Sequence, residues 1–150
     1  MIFRRANSRW TAARAVPLVV LALVLAGCGQ AALLLEVGDC FDDPPGLVDT
    51  VTNVDVIDCA DAHDNEVYVV VDFPDEGGYP GDDAVREFAD ETCIREFEAF
   101  VGFDYLQSEL DLGYFWPTDE SWDAGDRAVQ CFVYELDGSQ ATGSLRNAAR

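Results

Sequence analysis

The cysteines constrain the fold of this 150-residue chain more than any other feature of its sequence. Five of them stand at positions 28, 40, 59, 93 and 131. No two are separated by only two residues, which argues against a thioredoxin-like redox pair and against a zinc ribbon. In an exported protein an odd count would leave one thiol over. One cysteine therefore needs a role other than a disulfide.

The N-terminal segment, residues 1–27, has the pattern of a secretory signal. Its charged residues are four arginines, and an uninterrupted apolar run from Ala15 to Gly27 follows them. The run ends in the sequence LAGC, which resembles the lipobox of bacterial lipoproteins. The resemblance implies that Cys28 is diacylated, with fatty acids such as palmitate, and becomes the new N-terminus. The protein would then be held on the extracytoplasmic face of the cell membrane.

Two other interpretations of this segment stay open. One is a secretory signal with an incidental cysteine. The other is an uncleaved span at Val16–Leu35, since about 20 apolar residues can cross a bilayer and the arginines would remain inside. All three interpretations place the rest of the chain outside the cytoplasm. We expect a lipid-anchored tether at residues 28–36 and an extracytoplasmic domain at residues 37–150.

Assigning Cys28 to lipid leaves four cysteines for two disulfides. Four cysteines permit three pairings, and the local patterns favour Cys40–Cys59 and Cys93–Cys131. Cys93 falls on the inner stripe of a predicted helix and Cys131 on one face of a predicted strand, so the two can meet across one core. On the loop-entropy model the bonds would contribute about 3 and about 4 kcal/mol. That is a large share of the stability of a small domain.

Charge excludes one class of function. All 29 acidic residues follow residue 35, where they face only five arginines and no lysine, so the formal net charge without residues 1–27 is −24. A charge of this sign repels the phosphate backbone of nucleic acids. We therefore expect no nucleic-acid binding.

The order of the predicted elements indicates an α+β fold. A helix is predicted from Asp82 or Asp83, as its cap, to Val101, because apolar residues recur at helical spacing and Gly102 is a stop signal. Pro117–Asp126 is predicted as an acidic loop. Strands are predicted from β-branched, apolar or alternating residues at Val51–Asp58, Glu66–Phe73, Phe103–Leu106, Leu112–Trp116 and Arg127–Leu136. We expect a small, mainly antiparallel sheet packed against one central helix.

His63 and Glu66 are the residues that come nearest to a catalytic pair. His63 is the only histidine, and its spacing from Glu66 would suit an acid–base pair or two metal ligands. No second imidazole and no nucleophile in a recognisable setting accompany them, so we expect His63 to shape the turn before the strand at Glu66. Acidic clusters at residues 55–64 and 119–126 could hold calcium. The second departs from the EF-hand pattern, so we interpret both as solvated surface and expect no metal and no cofactor.

The aromatic residues near Trp116 and Trp122 permit two interpretations. They could form a platform for a glycan or a partner protein, or they could pack a small core, which is the preferred interpretation. Arg127 is expected to pair with nearby carboxylates. The candidate interaction surface consists of His63, Glu66, Trp116, Trp122 and Arg127.

Taken together, these motifs resemble the septum-formation domain of actinobacterial envelope proteins. The resemblance covers nearly all of the chain after Cys28. It rests on GDCF at 38–41, Cys59, His63, EV at 66–67, Cys93, Phe97, Pro117, Trp122, GDR at 125–127, Cys131 and TGSL at 142–145.

This resemblance implies an extracytoplasmic domain, membrane-tethered or lipid-anchored, that is associated with septum formation and has no assigned catalytic activity. We therefore expect a non-catalytic binding or scaffolding module whose partner is an envelope protein. The second hypothesis is a small hydrolase or metal-dependent envelope enzyme that uses His63 and Glu66.

Overall fold

The computed structural model describes residues 33–46, 51, 53–74 and 77–150. Cys28, the signal segment and most of the alternative span Val16–Leu35 lie outside the described residues. Within the described ranges, no helix combines the length and the apolar character that a membrane crossing needs. The elements in chain order are β1 Cys40–Phe41, β2 Val56–Ile57, β3 Ala62–His63, β4 Asn65–Asp72, α1 Asp82–Val101, a 3-10 helix Tyr105–Gln107, β5 Leu110–Phe115, α2 Asp119–Asp123, β6 Ala128–Glu135 and β7 Ala141–Thr142.

Five strands form one antiparallel sheet in the order β2-β1-β4-β6-β5, and α1 packs on one face of it. The alternation of β6 sends Val129, Cys131 and Val133 toward α1, where all three are fully buried. Phe132 and Tyr134 point to the opposite face of the sheet, which we call the far face. β3 and β7 form a separate two-stranded pair. The predicted α+β class, with a mainly antiparallel sheet against one main helix, is confirmed.

The helix α1 ends where its sequence predicts and begins without the predicted cap. Gly102 adopts a left-handed conformation (φ 78°) and donates its N–H to the Glu98 carbonyl at 2.8 Å. The prediction of Asp82 or Asp83 as the N-cap is wrong, because Gly81 occupies that position and supplies no capping side chain. The two aspartates lie inside the first turn, where negative charge is favourable. The buried stripe consists of Val85, Ala89, Thr92, Cys93, Phe97, Phe100 and Val101, with Phe88 partly buried.

A disulfide between Cys93 and Cys131 joins α1 to β6 in the middle of the core. Both residues are fully buried. Tyr68 lies beside them, at a register shift in β4, and donates its O–H to the Cys93 carbonyl at 2.8 Å. Burial raises the pKa of the Tyr68 phenol far above its ordinary value, so this hydroxyl remains a donor.

The second disulfide joins Cys40 of β1 to Cys59 in the turn before β3. Cys40 is fully buried, whereas Cys59 is partly exposed. The two bonds have the pairings that the sequence favours. The first holds the helix to the sheet, and the second holds the short strand β1 to the loop that follows β2.

The segment Leu33–Leu35 crosses the far face of the sheet, and we call it the strap. The Gln130 side chain of β6 holds it, since its Oε1 accepts from the Leu35 N–H at 3.1 Å and its Nε2 donates to the Leu33 carbonyl at 2.6 Å. Leu35 is buried against Phe41, within a second hydrophobic cluster. The strap lies within the predicted tether 28–36, and it packs on the sheet in this structure.

Three local predictions differ from the structure. The predicted strand at 103–106 is replaced by a 3-10 helix, which the Asp104 carboxylate caps by accepting a backbone N–H. The predicted loop at 117–126 contains α2, which begins at Thr118 with a capping box. Of the predicted strand at 51–58, Val56–Ile57 form a strand, β2. In the first two cases local side-chain hydrogen bonds favour a helical turn that the pattern of apolar residues does not indicate.

We expect a mild reductant to open Cys40–Cys59 before Cys93–Cys131 in the folded protein. Thiol–disulfide exchange requires access to a sulfur, and only Cys59 of the four is partly exposed. Thiols alkylated at increasing times of reduction and located by mass spectrometry give the order. Early alkylation of Cys93 and Cys131, in protein that keeps its native circular dichroism, would contradict this order.

Candidate functional site

Glu66 is a buried carboxylate that holds the C-terminal segment. It lies in β4 between Cys40 of β1 and Val133 of β6, with 2% of its surface exposed. Ser144 donates its O–H to Oε1 at 2.7 Å, and Leu145 donates its N–H to Oε2 at 2.5 Å. Both carboxylate oxygens are thus engaged. Glu66 fixes this segment against the sheet, with Leu145 buried in the core.

His63 is also inaccessible. It lies in β3 opposite Ala141 of β7, and its side chain has no solvent exposure. Its Nδ1 is 2.9 Å from the Asp61 carbonyl oxygen, which places the ring proton on Nδ1. Its Nε2 has no hydrogen-bond partner within the described part of the chain. Both side chains that the hydrolase hypothesis uses, His63 and Glu66, are thus buried in this fold.

One group of three possible metal ligands occurs among the described residues. The ligand atoms of Cys40, Cys59 and Glu66 lie within 4.8 Å of one another. The two sulfurs are bonded to each other and the carboxylate oxygens accept hydrogen bonds from Ser144 and Leu145. This set does not fit a metal ion, which requires free thiolate and carboxylate donors.

Trp122 and Arg127 pack together instead of forming an open platform. Trp122 is 3% exposed and donates its Nε1–H to the Gly77 carbonyl at 3.0 Å. The Arg127 guanidinium lies 3.7 Å from the centroid of the Trp122 ring and donates to the Trp122 carbonyl at 2.8 Å. Trp116 is 38% exposed, with Arg86 5.6 Å from its ring centroid. Of the candidate interaction surface, only Trp116 and the partly exposed Arg127 are accessible.

All five arginines of the domain have contacts within it. Three of them lie over aromatic rings, in the pairs Arg86–Trp116, Arg127–Trp122 and Arg146–Phe100. The other two form the ion pairs Arg95–Glu96 and Arg150–Glu135, which are the two that occur among the described residues. Most acidic side chains therefore have no cationic partner in this part of the chain, and the surface is strongly negative.

A cleft of about 370 Å³ opens on the far face. Phe132 and Tyr134 of β6 form one wall, and Asp43, Asp64 and Glu135 lie around it. The Glu135 carboxylate is paired with Arg150. Along β6 the cleft is offset from the strap, since Tyr134 is four residues, or about 14 Å, beyond Gln130. The remaining lining residues are Asn65, Gly113, Gly138 and Ser139.

Gly113 of β5 makes room for the aromatic wall. A Cβ at this position would lie 2.5 Å from Cε2 of the Phe132 ring, which pairs with Gly113 across the strands. The ring in turn contacts Phe115 at a centroid distance of 4.9 Å and Phe41 at 5.4 Å. A glycine inside a strand often marks such a close approach. The cleft and the packing under the strap thus share one aromatic ring.

Hydrogen bonds order the carboxylates on one side of the cleft. Asp43 donates its backbone N–H to Asp64 Oδ2 at 2.9 Å, and the Asn65 side chain donates to Asp43 Oδ1 at 2.9 Å. Burial, and then the charge of Asp111, raise the pKa of Tyr134, so its hydroxyl is neutral at physiological pH. Carboxylates beside aromatic rings suit an ammonium or guanidinium group and repel an anion.

Comparison with known proteins places the chain in a family. A family model described as septum formation matches residues 23–131, which is more than half of the chain. The chain belongs to the Septum formation family. No solved structure matches it.

Curated relatives carry a lipoprotein name. The chain is 30% identical over 116 residues to the protein named "Putative lipoprotein LppN" from Mycobacterium tuberculosis, and to the protein of the same name from Mycobacterium bovis. The match covers 75% of this chain and 62% of each relative, so the chain spans less than two thirds of their length. The resemblance to the septum-formation domain that the sequence motifs indicate is confirmed.

In this member of the Septum formation family, Gln130 and Gly113 have structural roles that the sequence motifs do not indicate. Each of the two residues departs from the pattern of its strand in the sequence. Gln130 is the one polar residue in the apolar stretch 128–134, and Gly113 interrupts a strand of large side chains. The two residues differ in what they do, since Gln130 holds the strap and Gly113 admits the Phe132 ring.

We expect Glu66→Gln to lower the free energy of unfolding by about 2 kcal/mol, because the amide NH₂ would face a donor and leave a buried group unpaired. This corresponds to a fall of about 6–10 °C in Tm. Thermal unfolding followed by circular dichroism measures it. Glu98→Gln, the same change at an exposed position of α1, is the control and should leave Tm within about 2 °C. Equal effects of the two variants would show that the contacts of Glu66 contribute no stability.

Proposed function

We propose that this member of the Septum formation family is a cell-envelope lipoprotein that acts as a non-catalytic binding or scaffolding module in septum formation. Residues 1–27 are removed as a signal peptide, and lipid on Cys28 holds the domain on the extracytoplasmic face of the cell membrane. The family match supports the link to the septum. The similarity to proteins named as lipoproteins supports the lipid.

The observation that carries the non-catalytic part of the proposal is the burial of His63 and Glu66. These are the two residues that the sequence offers for acid–base chemistry. Both make hydrogen bonds within the fold, and Glu66 has no free oxygen. General acid–base catalysis needs a titratable group within hydrogen-bond reach of the substrate, which a closed domain does not provide at either position.

The partner in this proposal is an envelope protein with an exposed basic segment. The domain contains no lysine, and its five arginines have contacts within it, so its surface potential is negative. Complementary charge accelerates encounter and favours one orientation over another. The cleft, with carboxylates beside the rings of Phe132 and Tyr134, offers one ammonium or guanidinium group a place next to the sheet.

The full-length protein with an epitope tag should be enriched at division sites in its native host, and Cys28→Ala should lose both the enrichment and the incorporation of an alkyne fatty acid. Lipid on Cys28 is the attachment in this proposal, so its loss releases the domain or stops processing. Immunofluorescence and gel labelling measure the two effects. A uniform distribution of the parent protein contradicts the septal role. An uncleaved, membrane-bound Cys28→Ala protein would favour the span Val16–Leu35 instead.

A photo-crosslinking residue at Ser139 should capture a septal envelope protein, whereas the same residue at Glu98 should not. Ser139 is exposed at the cleft, and Glu98 is exposed on the outer side of α1. Crosslinks are identified by mass spectrometry, and Asp43→Asn with Asp64→Asn should weaken the Ser139 product. Identical products from both positions would contradict a partner site at the cleft.

A further inference from the structure

We infer that the far face of the sheet, and not α1, is turned toward the lipid bilayer, with Leu34 and Val70 at the contact. The inference rests on the proposed lipidation of Cys28. It adds an orientation and a second, non-covalent contact with a phospholipid surface. Three observations on the described residues carry it: the course of the strap, the exposed apolar side chains beside it, and the distribution of charge.

The strap determines where the chain leaves the domain. Gln130 bonds to the backbone of both Leu33 and Leu35 on the far face, and Leu35 is only 6% exposed. Five residue steps separate Cys28 from Leu33, and a fully extended chain covers at most about 18 Å in five steps. A lipidated Cys28 therefore cannot be farther than this from the far face.

The domain is thicker than the maximal distance between Cys28 and Leu33. A domain of about 115 residues has a radius of gyration near 13 Å, so its opposite surfaces are roughly 35 Å apart. The helix α1 covers the face of the sheet opposite the strap. A tether of about 18 Å is too short to run around the edge of the sheet and bring the outer side of α1 onto the bilayer.

Apolar side chains are exposed next to the strap. Leu34 is 87% exposed, although both of its neighbours pack on the sheet. Val70 is 39% exposed and pairs with Gln130, and Val56 is 51% exposed and pairs with Phe41, so both lie on the far face. Exposed aliphatic side chains beside a lipid anchor can enter the interfacial region of a bilayer, where apolar area is removed from water.

The number of acidic groups differs between the far face and the exposed side of α1. The far-face positions of the sheet strands carry two acidic groups, Asp72 and the partly buried Asp111, which accepts hydrogen bonds from two tyrosines. Asp43 and Asp64 lie at the cleft on this face, toward the Tyr134 end of β6 and away from the strap. The exposed side of α1 is much more acidic, with Asp82, Asp83, Glu87, Asp90, Glu91 and Glu98. Anionic lipid head groups repel the more acidic side, and this repulsion is felt within about 8 Å at physiological salt. Charge therefore favours the same orientation as the strap.

Tryptophan fluorescence in vesicles tests this orientation. Lipidated protein carrying Leu34→Trp, Val70→Trp or Ile94→Trp is reconstituted into vesicles of phosphatidylcholine and phosphatidylglycerol with brominated acyl chains. Ile94 is 47% exposed on α1 and is the matched control. Bromine quenches only nearby indoles, so the quenched part of the added emission should be at least about twice as large for Leu34→Trp and Val70→Trp as for Ile94→Trp. Trp116 and Trp122 contribute the same background to every variant.

Flotation of the same vesicles separates the two ways in which the inference can fail. If all variants float with the vesicles and Ile94→Trp is quenched as strongly as Leu34→Trp, the orientation is wrong and the lipid anchor stands. If the parent protein does not float, the lipid anchor fails, and the orientation fails with it. Cys28→Ala should neither float nor be quenched. Val70→Trp is compared only after circular dichroism has shown a native fold, and Leu34→Trp alone is sufficient to decide between the two orientations.

Discussion

The bond between Cys93 and Cys131 fixes the arrangement on which the rest of the structure depends. It joins α1 to β6, the strand that pairs with both β4 and β5. Because the helix covers the side of β6 that carries Cys131, the alternation of side chains places Gln130, Phe132 and Tyr134 on the far face. The strap is held by the first of these side chains, and the wall of the cleft is made by the other two. One strand thus connects the core, the N-terminal segment and the candidate site.

The buried polar residues supply hydrogen bonds that the sheets themselves lack, because several strands are very short. β1, β2, β3 and β7 have two residues each and form few ladder hydrogen bonds. Glu66 compensates by accepting two hydrogen bonds from the segment that follows β7. A buried carboxylate is tolerated only when its oxygens are bonded in this way. The residues that look most like catalytic groups in the sequence are therefore the ones that attach the C-terminal segment.

The sequence predicts the elements whose pattern is long and regular, and it misses those that depend on single side chains. The helix ending at Val101, the strand β6 and both disulfides follow from periodicity and cysteine count. The strap does not, because Leu33–Leu35 continues the apolar run of the N-terminal segment and resembles part of a tether. The burial of Trp122 depends equally on distant partners, such as the Gly77 carbonyl. Pattern identifies which residues are apolar, but not which surface each one meets.

The strap also changes what lipid on Cys28 would do. A flexible linker would only keep the domain near the membrane and leave its height and orientation free. Here the chain is bound to β6 by two hydrogen bonds and a buried leucine, and β6 is bonded through Cys131 to α1. A force on that lipid would therefore reach the core within a few residues of the strap. With lipid on Cys28, the five residue steps before the strap would therefore limit how far the cleft could lie from the bilayer.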